Sequence, residues 1–396
     1  MHEAPRPGNP SPTIRDGKAI PQTLFRGDAP IAENPEYLSR QLITYLGNKR
    51  SLLGGINHAV ERVKRRLGVD KLRCFDVFSG SGVVSRLLKA HASRLVCNDL
   101  EDYAAVIGRC YLANHSEVNL AEIAELVEDL NARVRNTTFP PGFIERMYAP
   151  ANENVITRED RVFFTRSNAH RIDNYRRLID TLPATRRDFL LAPLLSEASI
   201  HTNTAGVFKG FYKNRVTKIG QFGGSGSDAL RRIIGEVKLA APVLSRFECD
   251  YEVLQDDANA AARRVANLDL AYLDPPYNQH PYGSNYFMLN LIANYARPSR
   301  ISRVSGIPVD WKRSGYNVRS ESLKLMTDLV QQLDARFLLV SFNNEGFIAP
   351  QEMHTLLASL GGVESIEMKH NAFRGSRSFH NRPIHTTEHM FLVERR

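Results

Sequence analysis

Three observations in the 396-residue sequence predict an α/β protein built on a mostly parallel sheet. Residues 71–100, KLRCFDVFSGSGVVSRLLKAHASRLVCNDL, read as strand, glycine turn, helix and second strand, a βαβ unit whose strands run parallel. From about residue 249 strand signals return as YEVLQ, LDLAYLD, RFLLVSF and HMFLVE, separated by helix-like segments. Between the two halves, residues 111–245 mix helical pieces with Gly-rich loops such as QFGGSGSDAL, the pattern of an insertion.

Taken in order, residues 1–37 are rich in Pro, Gly and charge without periodicity and are expected to form a disordered or loosely attached arm. Residues 38–110 carry the βαβ unit. AEIAELVEDLNARV, residues 121–134, is an acidic amphipathic helix that opens the insertion. Residues 246–396 return to the sheet, with SLKLMTDLVQQLDA as one of the connecting helices. No internal repeat is visible.

With 42% hydrophobic residues the chain has enough apolar content to bury a large core. No uncharged apolar window approaches 18 residues, and the N-terminus has neither an apolar signal core nor an Arg/Ser-rich transit pattern, so an intracellular, cytoplasmic protein without membrane contact is expected. Cys74, Cys97, Cys110 and Cys249 show no CxxC pair or zinc-ligand spacing, which points to reduced structural thiols and no metal. A net charge of +9 suggests a polyanionic partner. Residues 161–240 hold 14 Lys and Arg against 6 Asp and Glu, so this segment nearly accounts for the excess. A second surplus lies between residues 297 and 324, where Arg297, Arg300, Arg303, Lys312, Arg313, Arg319 and Lys324 face only Asp310 and Glu321. Such runs are often solvated faces, yet two of them flanking a candidate site favour a phosphate-contacting surface.

Chemistry enters at DVFSGSGVV. Gly80 and Gly82 lie between a strand and a helix, where absent side chains let backbone N–H groups approach a ligand. The pattern is G-x-G-x-x-S, with Ser85 in place of the third glycine of a dinucleotide fingerprint, so a ligand-free tight turn is an equal reading. Asp99, 17 residues after Gly82, ends the next strand, where a carboxylate accepts ribose hydroxyls or simply caps a helix. At Asp274-Pro275-Pro276-Tyr277 the prolines fix φ and drive their predecessors out of helical space, so the strand LAYLD must stop and its end is rigidly presented. An Asp carboxylate with a neighbouring carbonyl suits an exocyclic amine, and Tyr277 suits stacking on the ring that bears it.

YLGNKRSLLGGI (45–56), DVFSGSG (76–82), NDL (98–100), DDAN (256–259) and DPPYN (274–278), in this order, resemble the D12-class, alpha-group DNA adenine-N6 methyltransferases. NTAGVFKGFYKN, SFNNEGFI and the tail NAFRGSRSFHNRPIHTTEHMFLVE extend the likeness over about residues 38–394. The resemblance implies a seven-stranded, Rossmann-like methyltransferase sheet whose last strand, HMFLVE, runs antiparallel near an edge, and S-adenosylmethionine as cofactor. It implies a cofactor-binding part at 38–110, a target-recognition insertion at 111–245 and a target-base part at 246–396. Tyr45, Gly47 and Lys49 would lie against the methionine end of the cofactor. Phe78, Gly80 and Gly82 would lie beneath it, with Asp76 opening the same turn. Asp99 would hold the ribose, and Asp257 or its neighbour Asp256 would border the adenine. Asp274, Pro275, Pro276 and Tyr277 would grip a target base flipped out of double-stranded DNA, for direct displacement at the methyl group. A surface lysine is the plainer reading of Lys49.

In the insertion, Lys209, Lys213, Arg215 and Lys218 alternate with Phe208, Phe211 and Tyr212, a mixture suited to phosphates and bases, although aromatics at this spacing are more often core. The resemblance also implies a modification methylase partnered by a cognate restriction endonuclease acting on the same site. A cytosine-N4 methyltransferase, usually SPPY at this corner, an RNA adenine methyltransferase and a DNA-binding protein with a decayed methylase core are the alternatives. A dehydrogenase is disfavoured by the missing third glycine.

Overall fold

A computed structural model describes residues 32–224, 229–343, 346–371 and 385–396. Seven strands, β1 (Leu72–Asp76), β2 (Ala92–Asn98), β3 (Asp250–Leu254), β4 (Leu268–Leu273), β5 (Ala335–Asn343), β6 (Gly361–Asn371) and β7 (His385–Arg395), form one sheet of order β3-β2-β1-β4-β5-β7-β6. The first five pair in parallel, and β7 runs antiparallel to both β5 and β6. The expected last strand is therefore antiparallel and next to the edge, which β6 forms.

Alternation along the strands explains the two-layer core. Cys74, Leu270, Tyr272, Phe337 and Leu339 face one apolar cluster, while Phe75, Ala271, Leu273, Leu338 and Val340 face another. Each buried Leu or Val contributes about 1.5–3 kcal/mol relative to exposure. On the first face lies the helix Leu53–Leu67, which buries Leu53, Ile56, Val60 and Val63 along one stripe and ends at Gly68 with φ +67°. The helix Arg319–Gln332 covers the other face with Met326, Leu329 and Val330.

The helices Leu120–Asn136, Arg166–Asp180 and Ala184–Ile200 follow the second strand and share the first cluster through Ile123, Ile172 and Leu194. Asn119 caps the first of them by accepting from the Glu122 N–H. Of the expected arm, residues 1–31 fall outside the described residues, as do parts of QFGGSGSDAL, SFNNEGFI and the tail motif. The last arm residues are not loose. Tyr37 is buried and donates to the Tyr111 carbonyl, and Glu33 accepts from Ser245 Oγ, so the packed body begins before residue 38. All four cysteines are buried thiols.

Candidate active site

Strand order reverses between β1 and β4: from β1 the chain moves to β2 on one side and later returns to β4 on the other. A crevice opens outside the carboxyl ends of strands at such a point. There a cleft is walled by Tyr45, Phe78, Asn98, Asp99, Glu101, Asp256, Asp257, Asp274, Pro276, Tyr282, Lys312 and Tyr316, among others. Seven predicted residues from five separated motifs thus share one wall.

The glycine turn explains its own composition. Gly80 has φ +51° and Gly82 φ +72°, both in the left-handed region that side-chain-bearing residues rarely adopt. A Cβ on Gly80 would lie 2.6 Å from the Tyr45 hydroxyl, so the missing side chain is what lets Tyr45 close over the turn. Tyr45 in turn stacks on Tyr282 and Tyr286, each at 5.0 Å between ring centroids. Gly47, with φ +71°, sits beside the hydroxyls of Tyr277 and Tyr282. Asp76 is placed differently from the wall residues: it is buried under the turn and accepts from Ser85 Oγ at 2.5 Å. Burial pushes its carboxyl up to about 7. The residue that breaks the dinucleotide fingerprint, Ser85, is therefore the partner of this aspartate.

Asp99 accepts from the Gly80 N–H at 2.7 Å and from the Glu101 N–H at 3.0 Å, so it pins the end of β2 to the glycine turn while lining the cleft. Burial holds its carboxyl above the ordinary value despite those bonds. Asp256 and Asp257 both line the cleft. Asp257 caps the helix Ala258–Ala262 through the N–H groups of Asn259 and Ala260, whereas Asp256 pairs with Arg264 at 2.7 Å. Asp256 is also tied to β2, because Asn98 bonds both its N–H and its carbonyl.

At the proline corner, Lys49 Nζ lies 2.9 Å from Asp274 Oδ1, and Lys49 is only 4% exposed. It opens a short 3₁₀ turn, Lys49–Leu52, but is not a surface lysine. Its ammonium is delivered to the acid of the DPPY corner. Tyr277 packs edge-on against Phe342, and its carbonyl accepts from the Phe347 N–H. The Asn317 amide donates to the Asn278 carbonyl at 2.7 Å and fastens the loop that follows the corner.

Lys209, Lys213, Arg215 and Lys218 are all exposed, on a loop folded back by the Lys213–Gly220 bridge. Asn203 anchors the base of that loop through the Val162 and Gln221 carbonyls, and Asn214 orders its tip by accepting from Val216 and Thr217 N–H groups. The aromatic residues of this stretch differ in exposure, with Phe211 and Tyr212 half-buried. Phe208 is 1% exposed in the core, and Phe211 packs on Phe163. Four of the 14 cations of 161–240 are paired within the chain: Arg166, Arg171, Arg176 and Arg186 pair with Glu145, Glu236, Asp180 and Glu122. Lys312 of the second surplus donates to the Leu100 carbonyl and Asp102 and belongs to the cleft wall.

Sequence reasoning missed Glu101, Tyr282 and Tyr316, and it read Lys312 as part of a phosphate-contacting surface rather than of the cleft wall. Glu101 and Tyr282 stand two and five residues beyond Asp99 and Tyr277. Tyr316, edge-on to Phe78 at 5.3 Å and bonded to Asn259, lies in a segment with no local signature.

The D12 class N6 adenine-specific DNA methyltransferase family matches residues 45–341. The chain belongs to this family. The D12 methyltransferase is 28% identical over 363 residues to the type II methyltransferase M.NlaIII of Neisseria lactamica, covering 89% of this chain and 99% of that protein. It is 29% identical to the type II methyltransferase M.CviAII of Paramecium bursaria Chlorella virus 1, covering 89% and 98% of the two chains. Its likeness to M.FokI of Planomicrobium okeanokoites, 24% identical, covers 89% of this chain but 52% of that protein. Family membership makes this D12 protein an enzyme that methylates adenine N6 in DNA, on the seven-stranded α/β sheet described above. Among the described residues, no helix is long and apolar enough to cross a membrane.

Proposed function

We propose that the chain is a cytoplasmic modification methylase that takes its methyl group from S-adenosylmethionine and delivers it to adenine N6 within one sequence of double-stranded DNA. The carrying observation is the convergence of Asp99 and Asp274 on one cleft, with Lys49 holding the latter. The cleft fits the cofactor: it joins acceptors for ribose and adenine, Asp99 with Asp256 or Asp257, to a pair of aromatic faces, Phe78 and Tyr316. When bound, S-adenosylmethionine supplies an electrophilic methyl group on a sulfonium. Asp274 accepts from the target amine and keeps its lone pair directed at that methyl, and its charge gains importance as the nitrogen becomes positive. Displacement at that methyl would leave S-adenosylhomocysteine and pass one amine proton to solvent, with Asp274 holding the amine throughout. Pro275 and Pro276 fix the corner, and Tyr277 supplies stacking to the flipped adenine, which costs a few kcal/mol to extrude. Tyr45, Gly47, Gly80 and Gly82 shape the floor, and Asp76 supports it from below.

Lys209, Lys213, Arg215 and Lys218 contact phosphates beside the recognition site. The relatives' names, type II methyltransferases, support a restriction endonuclease of the same specificity as the biological partner. Incubation with methyl-labelled S-adenosylmethionine and DNA or RNA, followed by nucleoside analysis, tests the reading. Label in N6-methyladenine of DNA is expected. Label in N4-methylcytosine, or in RNA alone, overturns it.

A further inference from the structure

Two carboxylates, not one, stand at the carboxyl end of β2. Asp99 is the acid the sequence pattern points to, but each of its oxygens already accepts a backbone N–H. Glu101 lies two residues further on, is 3% exposed, and lines the same cleft. Its position before the helix Asp102–Tyr111 is that of a cap, yet its side chain makes no capping bond. One oxygen, Oε2, accepts from the Asn290 amide at 2.5 Å, and Asn290 is itself fixed by accepting from the Tyr103 N–H. The other oxygen, Oε1, accepts no hydrogen bond among the described residues. It borders Gly283, another wall residue, where a Cβ would approach Oε1 to 3.1 Å. A side chain at Gly283 would meet the Lys312 carbonyl first and would also crowd this oxygen, so glycine keeps both contacts open.

A carboxylate buried with half its acceptor capacity unused is costly to the fold, and such groups concentrate where a ligand completes their bonding. We propose that Glu101 is a second carboxylate of the cofactor site, accepting a hydrogen bond from a ribose hydroxyl of the bound methyl donor. This rests on the reading of the cleft as the S-adenosylmethionine site. The ribose diol offers two donors, and Asp99 and Glu101 take one each. That division places the ribose between the Phe78–Tyr316 end of the cleft and the Tyr45–Tyr282 end. Asp99 on the preceding loop, Asp102 on the helix and Lys312 on the facing segment are the charges around Glu101, and burial, reinforced by Asp99, pushes its carboxyl up to about 8. At neutral pH the free side chain is therefore largely protonated, and a donating hydroxyl stabilises its ionised, accepting form.

Calorimetry on the full chain with S-adenosylhomocysteine and with 5′-methylthioadenosine, which keeps the ribose but lacks the amino-acid tail, tests the assignment. The parent binds both. Glu101→Gln presents an amide to the cleft while keeping an oxygen for Asn290, and is expected to bind both ligands about ten-fold more weakly. Glu101→Ala should weaken both at least as much, and thermal melting of the Gln variant guards against an unfolded Ala variant. Equal affinity in parent and Gln variant overturns the role of Glu101. A loss confined to S-adenosylhomocysteine moves the contact to the amino-acid end and overturns the ribose assignment. A folded parent that binds neither ligand overturns the cofactor reading itself.

Discussion

At Asp274 one carboxylate serves two partners. In the free enzyme it pairs with the buried ammonium of Lys49, and in the proposed reaction it accepts from the target amine. The two uses are compatible because a carboxylate has about four lone-pair sites. Asp274→Asn keeps the shape but loses the charge, so methyl transfer should fall at least about 100-fold, some 2.7 kcal/mol, if the carboxylate stabilises the nitrogen as it becomes positive. Single-turnover transfer to DNA measures this, with melting as the check on folding. Asp274→Ala should also melt lower, by a stability loss of about 1–3 kcal/mol, because it deprives a buried lysine of this carboxylate. At Gly80 the constraint is steric. Alanine there must hold φ +51° and bring a Cβ within 2.6 Å of the Tyr45 hydroxyl. Gly80→Ala is expected to cost about 1–2 kcal/mol of stability from backbone strain alone and to weaken cofactor binding as Tyr45 is displaced, measurable by melting and by calorimetry.

Among the elements, the loop from Asn203 to Gln221 joins the framework to the charge proposed to face DNA. Its base is fixed by the Asn203 amide and its tip by Asn214, so its exposed cations are presented on an ordered frame. Replacing Lys213 and Arg215 together by alanine should weaken binding to cognate and unrelated DNA alike and reduce the log–log salt slope by about 2 if both touch phosphates. Fluorescence anisotropy over a salt series reads both quantities, and a loss restricted to cognate DNA would make them base readers. The same element shows the limits of sequence reading. Composition located the cations, but whether an aromatic between them faces solvent or core is decided by tertiary packing, here Phe163 against Phe211. Strands buried on both faces, such as β4 and β5, were legible as apolar runs. The edge strand β6, GGVESIEMKHN, was not, because its polar residues and glycines carry no such run. Asp99 and Asp274 were legible because each ends a strand at a recognisable turn. Tyr316, and the place of Lys312 in the wall, were not, since only the folded chain brings them to a cleft built from other segments.

Across the whole molecule, the site carboxylates set a pH dependence. Folding buries Asp76 and Glu101, raising them from ordinary values of 3.8 and 4.5 to about 7 and about 8. For a raised acid the native state binds the proton more tightly than the unfolded state. The favourable contribution is thus complete below about pH 4 and is lost as pH rises through 7 and 8, where the buried groups must ionise. Each group contributes a slope of at most about 1.4 kcal/mol per pH unit within its window. Other groups run the opposite way: Glu61, bonded to His91, is held down to about 2 and favours the fold only once ionised. A comparison must therefore isolate the site. The Asp76→Asn, Glu101→Gln double variant keeps both side-chain sizes and an oxygen to accept from Ser85 and from Asn290, but has nothing to titrate. Melting temperatures of parent and variant measured from pH 5 to pH 9 should draw apart in one direction, with the parent losing stability relative to the variant as pH rises. A parent curve parallel to the variant across that range would show that neither carboxyl is raised, and that the floor of the cleft is wetter than its burial implies.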